Sequence, residues 1–140
     1  MAILFFEEDI TYSLKEKNKY KQWLKSIAEE EGYKIKELNY IFCSDEYLYQ
    51  INLDYLNHKT YTDIITFDNS ENKNSIEGDI FISIERIKEN AQKEHVLFEK
   101  ELQRVLSHGL LHLMGYKDKS EAEKAIMRHK EELAINHFGN

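Results

Sequence analysis

The hydrophobic positions of the chain form four short segments that have the pattern of β-strands. Residues 2–6 are an uninterrupted apolar run, as in a strand buried on both faces. Leu38, Tyr40 and Phe42 alternate with their neighbours at the period of two that places them on one face of a strand. The predicted strands cover residues 2–6, 38–43, 63–67 and 78–84, the last with Ile80, Ile82 and Ile84 on one face.

Other hydrophobic positions recur at helical spacing after residue 13. Ser13 and Glu16 have the spacing of a capping box, which predicts that a helix begins there, and Gly32 stands where that helix would end. Its buried face is predicted to consist of five residues: Tyr20, Trp23, Leu24, Ile27 and Ala28.

Four more helices are predicted downstream. Asp45 is expected to cap the first of them, Gly115 to end the longest, and a second capping box, Ser120 with Glu123, to open the last. The predicted ranges are 45–55, 85–95, 98–114 and 120–135.

These elements indicate an α+β fold. The length of 140 residues is typical of one domain, so residues 1–140 are predicted to form a single domain. We expect a four-stranded mixed sheet with about five helices packed mainly on one face.

Composition narrows the possible functions. The net charge of −7 argues against a protein that coats nucleic acid by bulk electrostatics, although it allows an enzyme with a local basic groove. The longest uncharged stretch, residues 105–116, is too short to span a bilayer, and the acidic start does not resemble a signal peptide. A single cysteine excludes an internal disulfide and a cysteine-based zinc finger. A cytoplasmic location is therefore expected.

The residues with the clearest chemical meaning lie at the end of the longest predicted helix. His108 and His112 are four residues apart, so that they share one helix face within reach of a single metal ion. Gly115 lets the chain turn back, and Asp118 can then add a carboxylate. Three protein ligands with a fourth position open to water are typical of a catalytic zinc site.

On spacing alone, two histidines that are simply packed in a buried helix explain the pattern equally well. The helix already has an apolar stripe sufficient for the core, and the histidines lie on its flank, which favours the metal site. The stripe consists of Leu102, Val105, Leu106, Gly109 and Leu113, and the flank also holds Glu101 and Arg104. Four other histidines have no partner at a useful spacing and are interpreted as surface or packing residues: His58, His95, His129 and His137.

Three segments of the chain resemble the YbeY family of bacterial rRNA-maturation endoribonucleases. Residues 108–116, His-Gly-Leu-Leu-His-Leu-Met-Gly-Tyr, are similar to the family pattern His-Gly-x-Leu-His-Leu-x-Gly-Tyr-Asp-His. Residues 62–67 resemble its Thr-Asp-Val-Leu-Ser-Phe strand, and residues 78–83 resemble its Gly-Asp-Ile-x-Ile-Ser strand. Asn52 fits the preceding helix, and the match extends over about residues 37–137 in order.

The resemblance implies a metal-dependent, single-strand-specific endoribonuclease that acts in small-subunit rRNA maturation and ribosome quality control. It implies one zinc ion per chain, held by His108, His112 and Asp118, where Asp118 stands at the family's third histidine. The metal would activate water and polarise a phosphoryl oxygen, and either hydroxide or a ribose 2′-hydroxyl could attack; no other catalytic residue is assigned. Expected partners are ribosomal RNA and the ribosome or its proteins, with no DNA and no membrane, and the oligomeric state stays open.

The chain departs from the family pattern at two positions, of which Leu56, together with the acidic surface, supports an alternative function. Leu56 stands where the family usually has an arginine implicated in activity, and Tyr61 replaces the usual proline. The alternative is a ribosome-associated factor with the same fold but weak or no nuclease activity.

A metalloprotease is disfavoured because Gly109 occupies the position of its general base. An iron-dependent oxygenase, for which two histidines and a carboxylate would suffice, is disfavoured by the family motifs.

Several charged residues have two possible roles. Glu101 could orient a metal ligand, but an i,i+3 surface pair with Arg104 is favoured. Asp63 and Asp79 could each orient a histidine or serve in turns and caps, and neither role is favoured. Lys17, Lys21 and Lys25 could follow RNA phosphates, although a solvated helix face is favoured.

Overall fold

The structure, a computed structural model, describes residues 2–57 and 61–138 of the chain. Within these ranges it contains four strands and five helices. In chain order they are β1 (Ala2–Glu7), α1 (Lys17–Glu30), β2 (Lys34–Cys43), α2 (Asp45–Leu56), β3 (Ile64–Asp68), β4 (Ser75–Ser83), α3 (Ile84–Glu94), α4 (Phe98–Leu113) and α5 (Glu121–His137).

The four strands form one mixed sheet in the order β1-β2-β4-β3. The pairs β1–β2 and β2–β4 are parallel, whereas β3 pairs with β4 in antiparallel orientation at the edge. The two inner strands, β2 and β4, are the longest of the described strands, with 10 and 9 residues, and each is paired on both sides. The predicted α+β class with a four-stranded mixed sheet is confirmed.

The main hydrophobic core lies between one face of the sheet and helices α1, α3, α4 and α5. Leu38, Tyr40 and Phe42 of β2 are buried there, as their alternation predicted. Two hydrogen bonds tie the layers together: the Tyr40 hydroxyl donates to the Leu106 carbonyl at 2.9 Å, and Trp23 Nε1 donates to the Ala134 carbonyl at 2.8 Å. Helix α2 is the exception, since it packs on the opposite face over a smaller cluster of Cys43, Leu48, Ile51 and Ile65.

Two glycines allow α4 to lie directly on strands β3 and β4. A Cβ atom at Gly109 would lie 2.9 Å from Ile80 Cδ1 and 3.0 Å from Ile64 Cδ1. A Cβ atom at Gly78 of β4 would lie 2.8 Å both from Leu113 Cδ1 and from the Phe67 carbonyl oxygen. The absence of side chains at these positions brings the histidine-bearing end of α4 against the sheet.

The structure corrects the predicted start of the first helix. Helix α1 begins at Lys17, its N-cap is Glu16 in a left-handed conformation (φ 58°), and no side chain caps it. Ser13 therefore does not form the predicted capping box. Leu14, only 6% exposed, packs into the core instead, and this burial holds the preceding segment in a non-helical path.

Smaller differences between the prediction and the structure concern the ends of other helices and strands. Helix α2 is capped by Ser44 rather than by Asp45, whose carboxylate pairs with Arg86 at 2.7 Å. Ile84 begins α3, capped by Ser83, and does not continue the strand face of Ile80 and Ile82. The capping box of Ser120 with Glu123 is confirmed.

The histidines outside the predicted metal site are exposed where the structure describes them, namely at 95, 129 and 137, and His58 lies outside the described residues.

Over residues 2–57 and 61–138, none of the helices combines the length and the apolar character that crossing a bilayer requires.

Candidate metal centre

The predicted metal-binding residues come together at the C-terminal end of α4. His108 Nε2 lies 3.3 Å from Asp118 Oδ2, and His112 Nε2 lies 3.4 Å from the same oxygen. One ligand atom from each of the three side chains lies within 4.8 Å of the others. Gly115, with φ of +98°, makes the turn that brings Asp118 back to the helix, as the sequence predicted.

The turn that bears Asp118 is anchored to two other helices. The Tyr116 hydroxyl donates to Glu31, just beyond α1, at 2.6 Å, and Lys130 of α5 donates to the same carboxylate at 2.9 Å. These hydrogen bonds, that of Lys130 first, lower the pKa of Glu31. The Tyr33 hydroxyl also donates to the Met114 carbonyl at 3.0 Å. Asp118 is thus placed by contacts remote from it in sequence.

The distances from Asp118 to the two histidines fit the ligands of a tetrahedral divalent ion. Two ligand atoms that each lie about 2.0–2.1 Å from a tetrahedral zinc are about 3.3–3.4 Å apart. The two distances to Asp118 Oδ2 have these values. All three side chains are partly exposed, at 14%, 28% and 38% for His108, His112 and Asp118, so that a ligand on the solvent side could reach an ion between them.

A cleft of about 280 Å³ opens in front of the three side chains. Thr62 and Asp63, before β3, Thr66 within it, and Arg104 of α4 line this cleft. The lining is polar and contains hydroxyl, carboxylate and guanidinium groups. Such a cleft can hold a polar group, such as a phosphodiester, against the cluster of ligand atoms.

Arg104 lies among three carboxylates beside the cleft. Its guanidinium contacts Glu101 at 2.6 Å, Asp63 at 3.5 Å and Glu131 at 3.6 Å. Burial lowers the pKa of Arg104, but the hydrogen bond to Glu101 and the nearby negative charges outweigh it, and the net shift is upward. The predicted pair of Glu101 with Arg104 is confirmed, but its surface location is wrong, because Glu101 is only 4% exposed.

The carboxylate that contacts the other ring nitrogen of a histidine, Nδ1 of His108, comes from a residue that the sequence did not single out. Glu131 of α5, 2% exposed, lies with Oε2 2.5 Å from His108 Nδ1. Asp63 reaches Arg104 instead of a histidine, and Asp79 accepts hydrogen bonds from Asn39 and Asn69. In the sequence, the only indication that Glu131 is buried is its position on the helix face of Met127 and Ala134, both of which are buried.

The structure also shows the surroundings of the residues on which the alternative functions depend. At Gly109 a Cβ atom would press on Ile80 and Ile64, so the helix has no room there for the general base of a metalloprotease. Leu56 ends α2 and is 43% exposed, and Tyr61 is 51% exposed with its hydroxyl donating to Glu46 at 2.6 Å. The lysines at 17, 21 and 25 do not line the cleft, and Lys25 pairs with Glu29 at 3.7 Å.

Comparisons with known proteins match nearly the whole chain. A family model described as Endoribonuclease YbeY matches residues 4–139. A protein named Endoribonuclease YbeY from Cytophaga hutchinsonii is 60% identical over 135 residues, which are 96% of this chain and 94% of the relative. Another with that name, from Flavobacterium johnsoniae, is 49% identical over 133 residues, 95% of each chain.

A solved structure has the same fold. The solution structure of a Thermotoga maritima protein superposes with a TM-score of 0.67 at 26% sequence identity, and the alignment covers 96% of this chain and 87% of that one. The agreement extends over the sheet and the helices that hold the candidate metal centre.

Proposed function

This chain belongs to the Endoribonuclease YbeY family, and we propose that it is a metal-dependent, single-strand-specific endoribonuclease that acts in small-subunit rRNA maturation and ribosome quality control. The observation that carries the proposal is the cluster of His108, His112 and Asp118 at the head of a polar cleft. The names of the relatives support cleavage of RNA, and the cluster supports its dependence on a metal.

One zinc ion per chain would be held by the Nε2 atoms of both histidines and by a carboxylate oxygen of Asp118. Two nitrogens and one oxygen are an ordinary set of zinc ligands, and three protein ligands leave a position for water or substrate. When bound, such an ion polarises a phosphoryl oxygen and lowers the pKa of water toward about 7.

The residues of the chain position the ligands and shape the cleft. Tyr116 and Lys130, through Glu31, hold the turn that presents Asp118, and Gly78 and Gly109 hold α4 against the sheet. The hydroxyl groups of Thr62 and Thr66, which line the cleft, can donate hydrogen bonds to phosphate oxygens. Since the cleft is itself rich in carboxylates, phosphate binding depends on the positive charge of the ion.

The place of action would be the cytoplasm, with ribosomal RNA and the ribosome or its proteins as partners. Support comes from the family and from the net charge of −7, which suits contact with basic ribosomal proteins better than sequence-independent binding of nucleic acid. DNA and membranes are not expected as partners.

The test combines metal analysis with RNA cleavage on the full chain purified without chelator or affinity-tag metal. We expect about one zinc per chain and cleavage of single-stranded but not double-stranded RNA. His112→Ala and Asp118→Ala should both lose metal and cleavage, whereas His129→Ala, an exposed histidine on α5, should lose neither. Product ends distinguish the nucleophiles, because a 2′-hydroxyl leaves a cyclic phosphate and water does not. A parent chain that takes up no zinc would overturn the proposal.

A ribosome-associated factor with weak or no nuclease activity is the second candidate. It is favoured by Leu56, where the family usually has an arginine, and by the engagement of Arg104 with three carboxylates, which leaves the cleft without a free cation among its described lining residues.

The variant Leu56→Arg distinguishes the two candidates. A charge-assisted hydrogen bond to phosphate contributes about 1.5–3 kcal/mol, equivalent to roughly 10–100-fold in cleavage rate. The second candidate predicts negligible cleavage by the parent and a gain of this size in Leu56→Arg. Gln50→Arg, which adds the same charge at another exposed position of α2, is the matched control. Robust cleavage by the parent contradicts the second candidate.

A further inference from the structure

Glu131 makes a contact that the proposed metal site does not explain by itself. Its carboxylate is almost fully buried; Oε2 faces a histidine, and Oε1 faces the guanidinium of Arg104 and, at 3.9 Å, that of the exposed Arg128. Oε2 lies 2.5 Å from Nδ1 of His108, and Oε1 lies 3.6 Å from the guanidinium of Arg104. The opposite ring nitrogen of His108, Nε2, is the one that lies beside Asp118 and faces the cleft.

A neutral histidine carries one ring proton, and the position of that proton decides which nitrogen can bind a metal. Two carboxylates compete for the proton of His108: Glu131 at Nδ1 and Asp118 at Nε2. Glu131 is the stronger acceptor because its contact is shorter, 2.5 Å against 3.3 Å, and because it is 2% exposed whereas the Asp118 side chain is 38% exposed. The proton is therefore held at Nδ1.

We propose that Glu131 is a positioning residue that fixes His108 in the Nδ1–H tautomer and thereby keeps Nε2 free to bind the metal. This inference rests on the proposed function, since it concerns the same metal site. Arg104 contributes by engaging the other oxygen of Glu131, while Glu101 holds the guanidinium in place with contacts at 2.6, 3.1 and 3.2 Å. Two buried glutamates and one arginine thus orient one imidazole ring.

The requirement for a carboxylate, rather than any hydrogen-bonding group, gives the proposal a specific test. In Glu131→Gln only one oxygen remains for the imidazole N–H of His108 and the guanidinium of Arg104. The permanently charged guanidinium of Arg104 takes that oxygen, so the amide NH₂ faces His108 Nδ1. Nδ1 must then accept a hydrogen bond, the ring proton moves to Nε2, and the lone pair that would bind the metal is lost. The substitution should reverse the tautomer of His108.

The primary measurement is the tautomer of each histidine ring in the metal-free full chain, determined by long-range ¹H–¹⁵N correlation at a pH at which the rings are neutral. We expect Nδ1–H at His108 in the parent and Nε2–H in Glu131→Gln, with His112 unchanged as an internal control. The second measurement is zinc affinity by competition with a chromophoric chelator, which should fall about 10–100-fold in Glu131→Gln.

Glu132→Gln is the matched control, because the neighbouring glutamate is exposed and loses the same charge. It should change neither the tautomer nor the zinc affinity. A parent protein with Nε2–H at His108 overturns the proposal, and this spectrum needs no variant to fold. An unchanged tautomer and affinity in folded Glu131→Gln overturn it as well.

The outcomes separate this inference from the proposed function. If Glu131→Gln binds zinc as tightly as the parent while His112→Ala does not bind it, the positioning role fails and the metal site stands. If the parent shows Nδ1–H at His108 but binds no zinc, the tautomer assignment stands and the proposed function fails.

Discussion

Arg104 compensates the negative charges of the two buried glutamates beside the cleft. Its side chain is 24% exposed, while the Glu101 and Glu131 side chains beside it are only 5% and 2% exposed. Two carboxylates with so little contact with water depend on a cationic partner, because removal of one member of a buried ion pair leaves an uncompensated charge. This arrangement makes Arg104 a structural cation first, and it leaves little of its charge available to a phosphate.

Replacement of Arg104 by methionine tests this role through stability. Arg104→Met keeps the volume but removes the charge, so the free energy of unfolding should fall by about 3–5 kcal/mol in urea denaturation at pH 7. Arg128→Met is the control, since Arg128 is 66% exposed and lies 3.9 Å from Glu131; its effect should stay within about 1 kcal/mol. Equal effects of the two substitutions would show that the pairs of Arg104 are no stronger than surface pairs.

The residues of the site differ in how far the sequence could predict them. His108, His112 and Asp118 lie within eleven positions of one another, so helical spacing and one glycine turn were enough to bring them together. Glu131 is 23 residues from His108, and the two meet only because α5 packs against α4. Its role depends on tertiary contacts, which no local spacing records.

At the scale of elements, a group of hydrogen bonds centred on Glu31 joins three parts of the chain. The carboxylate follows the end of α1, Tyr116 lies in the turn after α4, and Lys130 lies in α5. The pKa of Glu31 is lowered by these hydrogen bonds, and the pKa of Lys130 is raised, first by its hydrogen bond to Glu31. The charged forms of both residues therefore stabilise the fold at neutral pH.

The pH dependence of stability checks this group. Because the folded-state pKa of Glu31 is below its unfolded value of about 4.3, its contribution is fully present above that value and is lost as the pH falls through the folded pKa. Glu31→Gln should lower the free energy of unfolding by about 1–3 kcal/mol at pH 7, and the difference from the parent should shrink below about pH 4. Glu30→Gln, an exposed neighbour, should show neither effect. A difference that stays constant with pH would contradict the assignment.

The two capping boxes show how far a local motif predicts an element. Ser120 with Glu123 caps α5 in a segment whose first residues are mostly exposed, so that only local hydrogen bonds decide the conformation. Ser13 with Glu16 has the same spacing, yet the burial of Leu14 outweighs the capping energy of about 1 kcal/mol. Apolar runs and apolar periodicity, together with the capping residues, predicted the four strands and five helices of the described residues, because an apolar pattern reports burial.

At the scale of the molecule, the sheet order needed information that the pattern of residues lacks. A run of alternating hydrophobic residues shows that a segment is a strand, but the pairing of β2 with β4 and the edge position of β3 follow from how α1 and α4 cover the sheet. The fold class could therefore be predicted from the residues, and the topology could not. The three candidate ligands lie within α4 and the turn that follows it, so they could be identified from local spacing without knowledge of the topology.

The metal site should also affect the stability of the whole molecule, because its ligands are present together only in the folded chain. A ligand that binds only the folded state raises the free energy of unfolding by about 2.7 kcal/mol at a concentration of 100 times its dissociation constant. For a domain of this size, that increase corresponds to a rise of roughly 8 °C in the melting temperature. The rise should follow the logarithm of the zinc concentration once the site is nearly saturated.

A zinc titration followed by thermal denaturation measures this effect, with magnesium at the same concentrations as a test of ion preference. Asp118→Ala should melt close to the metal-free parent and should no longer respond to zinc, since Asp118 contacts both histidines and lies at the end of the turn anchored by Tyr116. Glu121→Ala, which removes an exposed carboxylate three residues further along, should keep the full response. If Asp118→Ala responded like the parent, the stabilising ion would bind elsewhere, and the turn after α4 would serve only to connect two helices.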